Sequence, residues 1–160
     1  MVAGTRNVPP AEGSARRGDN PVIQLVGFRL DNEDYAIAIT KIQEIILMKP
    51  ITRIPQVPDF IEGLINLRGQ IVTAIDMRRK LKLPPRGSDQ APMNVVVRTQ
   101  DGPVSLLVDE IGDVLDVDAA TYERPPDNID PQARHLIHGV YKLKDRLLLV
   151  LDAERTVDLS

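Results

Sequence analysis

This chain reads as a mainly β protein made of two small five-stranded barrels packed on a shared core, with short capping helices. The first observation is an internal repeat: Gly63–Asp76 aligns without a gap on Gly139–Asp152, and Arg79 matches Arg155 just beyond. Ile39–Ile45 resembles Val108–Val114 in the same manner. Two halves on one plan imply two similar subdomains and a groove between them. The second is the make-up of the core. Apolar residues reach 42% but aromatics only 3%, so Val, Ile and Leu must fill the interior, and branched side chains of that kind favour strands. The third is punctuation, since 13 prolines and 10 glycines break the apolar runs into short pieces. Five short strands per half leave fewest exposed edges when each set closes into a barrel.

Residues 1–21 mix Gly, Pro, Ala, Arg and polar residues without an apolar period, which predicts a disordered tail. Strand character begins at Gln24–Leu30, where Val26, Phe28 and Leu30 share a face. Asp31–Asp34 is turn chemistry, and Tyr35–Ile39 resumes the alternation as the second arm of a hairpin. Thr40 suits a cap on one short turn before the strand Gln43–Leu47, and Pro50, Pro55 and Pro58 hold an irregular segment open. The repeat unit follows: strand Leu64–Leu67, a tight turn at Arg68-Gly69, and strand Ile71–Ile75. Asp76 stands at an N-cap position before Met77–Leu81. Pro84–Ser88 is the natural linker, dividing a subdomain at about 22–84 from one at about 92–157. Beyond it, Met93–Arg98 and Val104–Val108 flank a turn at Gln100–Gly102, and Asp113–Val117 is a third strand. A loop rich in Pro and Asp spans Thr121–Gln132. The repeat then returns as Val140–Leu143 and Leu147–Leu151, capped by Asp152.

Catalytic signatures are missing. Neither phosphate-loop pattern nor a GxSxG elbow occurs. His135 and His138 have no third metal ligand at diagnostic spacing and read as ordinary loop histidines. The acidic string from Asp109 to Asp118 is interleaved with Ile111, Val114, Leu115 and Val117, as in a strand and unlike a calcium loop. Arg78-Arg79-Lys80 reads as a solvated helix face. With no cysteine there is no disulfide or thiolate site. A net charge of −3 argues against nucleic acid, and no apolar run approaches a membrane span. With no apolar secretory leader at the N-terminus, the expectation is a cytoplasmic, non-enzymatic protein without cofactor or metal.

One polar constellation stands out. Arg68 follows Asn66-Leu67 at a hairpin tip whose turn Gly69 makes possible, and Glu44 lies in a neighbouring strand between Ile42 and Ile45. An arginine and a glutamate so placed suit a fork-like ion pair that fixes an exposed surface. The competing reading is a plain hairpin-tip arginine. The matching Lys144 keeps the charge but not the fork.

Taken in order, Tyr35–Ile45, Thr52–Pro55, Phe60–Val72, Ile75–Arg78 and Val108–Leu115 resemble the CheW family of bacterial chemotaxis coupling proteins. The resemblance runs from about residue 22 to 157, and its most specific segment is G-x-[IV]-N-L-R-G-x-[IV]. Thr73 departs from the family's usual proline. The resemblance implies two SH3-like five-stranded barrels and an adaptor that joins transmembrane chemoreceptors to the regulatory domain of a CheA-type histidine kinase. It implies cytoplasmic protein recruited to receptor arrays at the inner membrane, with no nucleic-acid partner and no membrane insertion. It also implies that Arg68 pairs with Glu44. The receptor tip, a helix with an apolar stripe, would meet Ile42, Ile45 and Ile65 beside Asn66 and Gly69. Other readings remain: a module that binds receptor but no longer couples to a kinase, a generic peptide-binding barrel, or an enzyme with its site in the groove.

Overall fold

The computed structural model describes residues 14–17, 20–87 and 89–158. Its strands are β1 (Ser14–Arg17), β2 (Asn20–Leu30), β3 (Glu33–Ala38), β4 (Ile42–Ile46), β5 (Ile61–Leu67) and β6 (Gln70–Asp76), then β7 (Met93–Thr99), β8 (Gly102–Val108), β9 (Glu110–Asp118), β10 (Tyr122–Glu123), β11 (Ile137–Lys142) and β12 (Leu147–Leu151). Three short helices join them: α1 (Met77–Lys80), α2 (Pro131–Leu136) and α3 (Ala153–Thr156).

The strands form two sheets, which make the two SH3-like subdomains. One runs β4-β7-β8-β6-β5; the other runs β1-β2-β3-β12-β11-β10, with β9 on the free side of β2. The first path begins and ends on strands that are neighbours in sequence, β4 and β5, and the second does so when β9 is taken as its end beside β2 and β10 as the other. In the first, the chain leaving β4 bridges back to β5 through Thr52 and Leu64, with hydrogen bonds of 2.8 Å in both directions. In the second, β9 leads through one 3-10 turn into β10, which pairs with β11. That is how a short sheet hides its edges.

The repeat is realised in register. Both repeat hairpins carry a bulge at the same place, between Ile61 and Gly63 and between Ile137 and Gly139. Their second strands each lie parallel to a third strand, β6 to β8 and β12 to β3. Asp76 and Asp152 cap α1 and α3, accepting from the backbone N–H of Arg78 and Arg155 at 3.0 Å. The division expected at residues 84–92 is corrected, however. The β7–β8 hairpin, from the second half, completes the barrel of β4–β6, while β2–β3, from the first half, join β9–β12. The halves have exchanged hairpins: the first barrel is the continuous stretch 42–108, and the second is assembled from the chain on either side of it.

This exchange explains why the central hairpins are apolar on both faces. Val95, Val97, Leu106 and Val108 meet Phe28, Leu30, Tyr35 and Ile37 in the core between the barrels. From the same strands, Val96 and Leu107 point into the first barrel with Ile65, Leu67 and Val72. Ala36 and Leu25 point into the second barrel with Tyr141, Leu148 and Val150. Residues buried on both sides lose the polar half of the strand alternation.

Two other expectations shift. Most of the tail assigned to residues 1–21 lies outside the described residues, but Ser14–Arg17 pair antiparallel with Asn20–Ile23, so strand structure starts before residue 22. Backbone pairing along a strand edge needs no apolar face on the added strand. The loop expected to run to Gln132 is interrupted by α2, where Asp130 accepts from the backbone N–H of Gln132 at 2.8 Å and Pro131 takes the first turn. A proline there costs nothing, because the first N–H groups of a helix are unpaired in any case.

Candidate partner-binding site

The β5–β6 turn is Arg68-Gly69, with φ of 54° and 87°. Two successive positive φ values match the right-handed twist of a hairpin, and glycine carries the second without strain. Asn66 closes the turn, its side-chain oxygen accepting from the Gly69 N–H at 2.8 Å. The guanidinium of Arg68 is thereby aimed at β4. There Nη1 and Nη2 donate to the two carboxylate oxygens of Glu44, each at 2.6 Å. The bulge between Ile42 and Glu44 in the β4–β7 pairing accompanies this placement, since a bulge re-aims a side chain. The expected fork is present.

Its position gives it a second role. β4 and β5 end the five-strand path, so the pair clasps the two ends of one barrel. Arg68 remains 71% exposed while Glu44 is only 17% exposed. Hydrogen bonding from Arg68 holds the Glu44 carboxyl below its ordinary range, against a smaller opposing effect of burial.

The apolar residues assigned to this surface divide. Ile45 is exposed. Ile42 is half-buried and packs on the central core. Ile65 must be withdrawn as a contact residue, because it is 1% exposed and lies inside the first barrel. Gly63, Ile65 and Leu67 face inward along β5, whereas Asn66 faces out. The exposed apolar residues near the clasp that sequence reading missed are Leu47 (74%), Met48 and Ile71 (60%). Ile71 lies directly opposite Asn66, so strand parity could have identified it. Leu47 is held in place from below: its carbonyl accepts from Asn94 at 3.1 Å, and the buried Ser105 hydroxyl donates to Asn94 at 2.8 Å. The second barrel shows Val114, Tyr122 and Leu147 to solvent.

A second ionic cluster corrects the reading of the basic run as solvated at Arg78, while Arg79 remains exposed. Arg78 is 8% exposed and Asp109 12% exposed at the side chain. Arg78 donates to Asp109 through Nη2 at 2.5 Å and Nε at 3.0 Å, and through Nη1 to the carbonyls of Pro84 and Pro85. Arg86 Nε adds a bond to Asp109 at 3.0 Å, and the Asp31 N–H another at 2.9 Å. Burial alone would raise the Asp109 pKa. The hydrogen bonds from Arg78, Asp31 and Arg86 prevail and hold it below the ordinary carboxylate range. The expected linker is therefore tied to α1.

His135 lies in α2 and His138 in β11, not in a loop. Among the described residues, no group of three His, Asp or Glu converges as a metal site would require, and no helix is long and apolar enough to cross a membrane.

Comparison with known proteins places this geometry in a family. The family model described as CheW-like domain matches residues 24–160. The chain is 36% identical over 128 residues to the chemotaxis protein CheW of Klebsiella aerogenes, covering 80% of this chain and 77% of that one. It is 30% identical over 135 residues to the chemotaxis protein CheW of Bacillus subtilis, covering 84% and 86%. The crystal structure of the scaffolding protein TtCheW from Thermoanaerobacter tengcongensis superposes with a TM-score of 0.77 at 28% identity, covering 86% of this chain and 94% of that one.

Proposed function

This chain belongs to the CheW-like family of chemotaxis scaffold proteins, and from that premise we propose that it couples transmembrane chemoreceptors to a CheA-type histidine kinase. The observation that carries this reading is the Glu44–Arg68 clasp, which fixes an exposed strand and hairpin tip beside Ile45, Leu47, Met48 and Ile71. Apolar residues ringed by polar ones on a rigid β scaffold suit a protein partner. The second barrel offers its own exposed set in Val114, Tyr122 and Leu147. An adaptor needs two faces, and one face per barrel meets that need. The proposed working location is the receptor array at the inner membrane, reached by binding and not by insertion.

The test is receptor-stimulated kinase activity with wild type, Arg68→Ala, Glu44→Ala and the double substitution. Both residues lie at the surface, so melting midpoints should change little. Stimulated activity should fall strongly in each single variant, and the double should be little worse than either single, because both remove one shared contact. Full activity in Arg68→Ala, or losses that simply add, would remove the assigned role. Receptor co-sedimentation without kinase activation, in the wild type, would favour the receptor-binding module that no longer couples.

A related expectation concerns Ile71 and Ile65. Ile71→Ser should reduce partner binding and leave the melting curve in place, since an exposed side chain contributes little to folding. Ile65→Ala should do the reverse at first hand, costing ~2–5 kcal/mol of stability through the cavity it leaves. Equal melting losses in the two variants would contradict the assignment of faces along β5 and β6.

A further inference from the structure

α1, α2 and α3 meet around a cavity of about 490 Å³, within the range of small-ligand sites. Phe60, Lys80, Lys82, Gln132, His135 and Arg155 line it, with Asp158 the one carboxylate. Lys80 ends α1, Lys82 lies just beyond it and Arg155 comes from α3, in a chain whose net charge is −3. Lys80 is anchored: its ammonium lies 3.8 Å from the centre of the Phe60 ring and donates to the Asp158 carbonyl at 2.7 Å. Burial lowers its pKa, Asp158 partly restores it, and Lys82 lowers it further. Lys82 is exposed and held at a φ of 61°. Arg155 is loosely engaged, with Nη1 3.4 Å from the His135 carbonyl and Nε 4.0 Å from Asp152.

Three cations against one carboxylate leave this concavity with an excess of positive charge, which a bound anion would offset. We propose that this cavity binds a small oxyanion ligand carrying two or more negative charges, of the phosphoryl class. Lys80, Lys82 and Arg155 supply charge-assisted hydrogen bonds, and the Gln132 amide supplies a neutral donor. Leu136 and Pro131 complete the wall and suit an apolar portion of the same molecule.

Calorimetric titration of the full chain with inorganic pyrophosphate at low ionic strength tests the proposal, with citrate as the carboxylate counterpart. The expected result is saturable binding at one site, weakened roughly ten- to hundred-fold by Lys82→Ala and by Arg155→Ala, as for a lost hydrogen bond to a charged group. Arg53→Ala, which removes an exposed arginine paired with Glu62 elsewhere, should bind as wild type does. Tighter binding of pyrophosphate than citrate assigns the site to phosphoryl ligands, and the opposite order assigns it to polycarboxylates. Heat that never saturates, or binding unchanged in both variants, overturns the proposal.

Discussion

Asp109→Ala is expected to lower the melting midpoint by roughly 6–20 °C, the largest effect of any single charge removal in this protein. Asp109 is the common acceptor of two guanidinium groups, from Arg78 and Arg86, that are 8% and 10% exposed. Removing it leaves both cations buried. Arg78 then retains the carbonyls of Pro84 and Pro85, and Asp31 at 3.8 Å, while Arg86 retains Asp76 at 3.9 Å. Breaking a buried pair from one side typically costs ~3–5 kcal/mol, and in a chain of this size each kcal/mol shifts the midpoint by about 2–4 °C. Arg78→Ala should cost less, because Arg86 and the Asp31 N–H still serve the carboxylate. The double variant should cost less than the sum of the singles. Strict additivity would mean that the two residues act independently.

The same cluster sets a pH dependence. The folded-state pKa of Asp109 is depressed, so the unfolded chain binds more protons than the folded one as pH falls past an ordinary aspartate value of about 3.9. The stabilisation from Asp109 is therefore fully present above that value and lost as pH falls through the lower folded-state pKa. The stability gap between wild type and Asp109→Asn should stay constant from neutral pH to about pH 5, then close on further acidification. A gap that widened toward acid would contradict the direction of the shift.

Strand positions were legible in the sequence because apolar alternation and turn residues are local signals. The hairpin at Arg68-Gly69 and the caps at Asp76 and Asp152 follow from chemistry confined to a few residues. The exchange of hairpins between barrels was not legible, because the partner of β7–β8 is decided by packing across the central core. The burial of Ile65 followed from the inward face of β5, which sequence reading did not separate from the outward one. Arg78 was hidden inside a basic run, and its partner Asp109 inside an acidic one, so each looked solvated. Only the fold brings them together. The helix at Pro131 was legible after all, since an aspartate followed by proline is a helix start as well as a loop.

Gly63→Ala is expected to cost about 2–6 kcal/mol, far more than Gly139→Ala, although the repeat makes the two glycines equivalent. Both sit just after the bulge of a repeat hairpin and both face the short segment that closes their barrel. Gly63 has a φ of 152°, and a Cβ there would lie 2.3 Å from the Thr52 carbonyl oxygen and 2.7 Å from Ile51 Cγ2. The backbone oxygen cannot step aside without breaking the paired Thr52–Leu64 hydrogen bonds that close the barrel. Strain at a glycine-only conformation and overpacking each contribute ~1–3 kcal/mol. At Gly139 the obstacle is instead the ring of Tyr122, 2.0 Å away. That ring is exposed, and it is held by an edge contact with Tyr141 at 5.7 Å and a hydroxyl bond to the His138 carbonyl at 3.3 Å. It can rotate outward at the cost of the aromatic contact, ~0.5–1.5 kcal/mol. Thermal melts of the two variants decide the matter. Because the Thr52 bridge lies on the strand that carries Arg68 at its end, Gly63→Ala should also weaken partner coupling at temperatures where the protein is still folded, while Gly139→Ala should spare the first barrel. Equal melting losses would show that the closing segment after β4 yields as easily as a surface side chain.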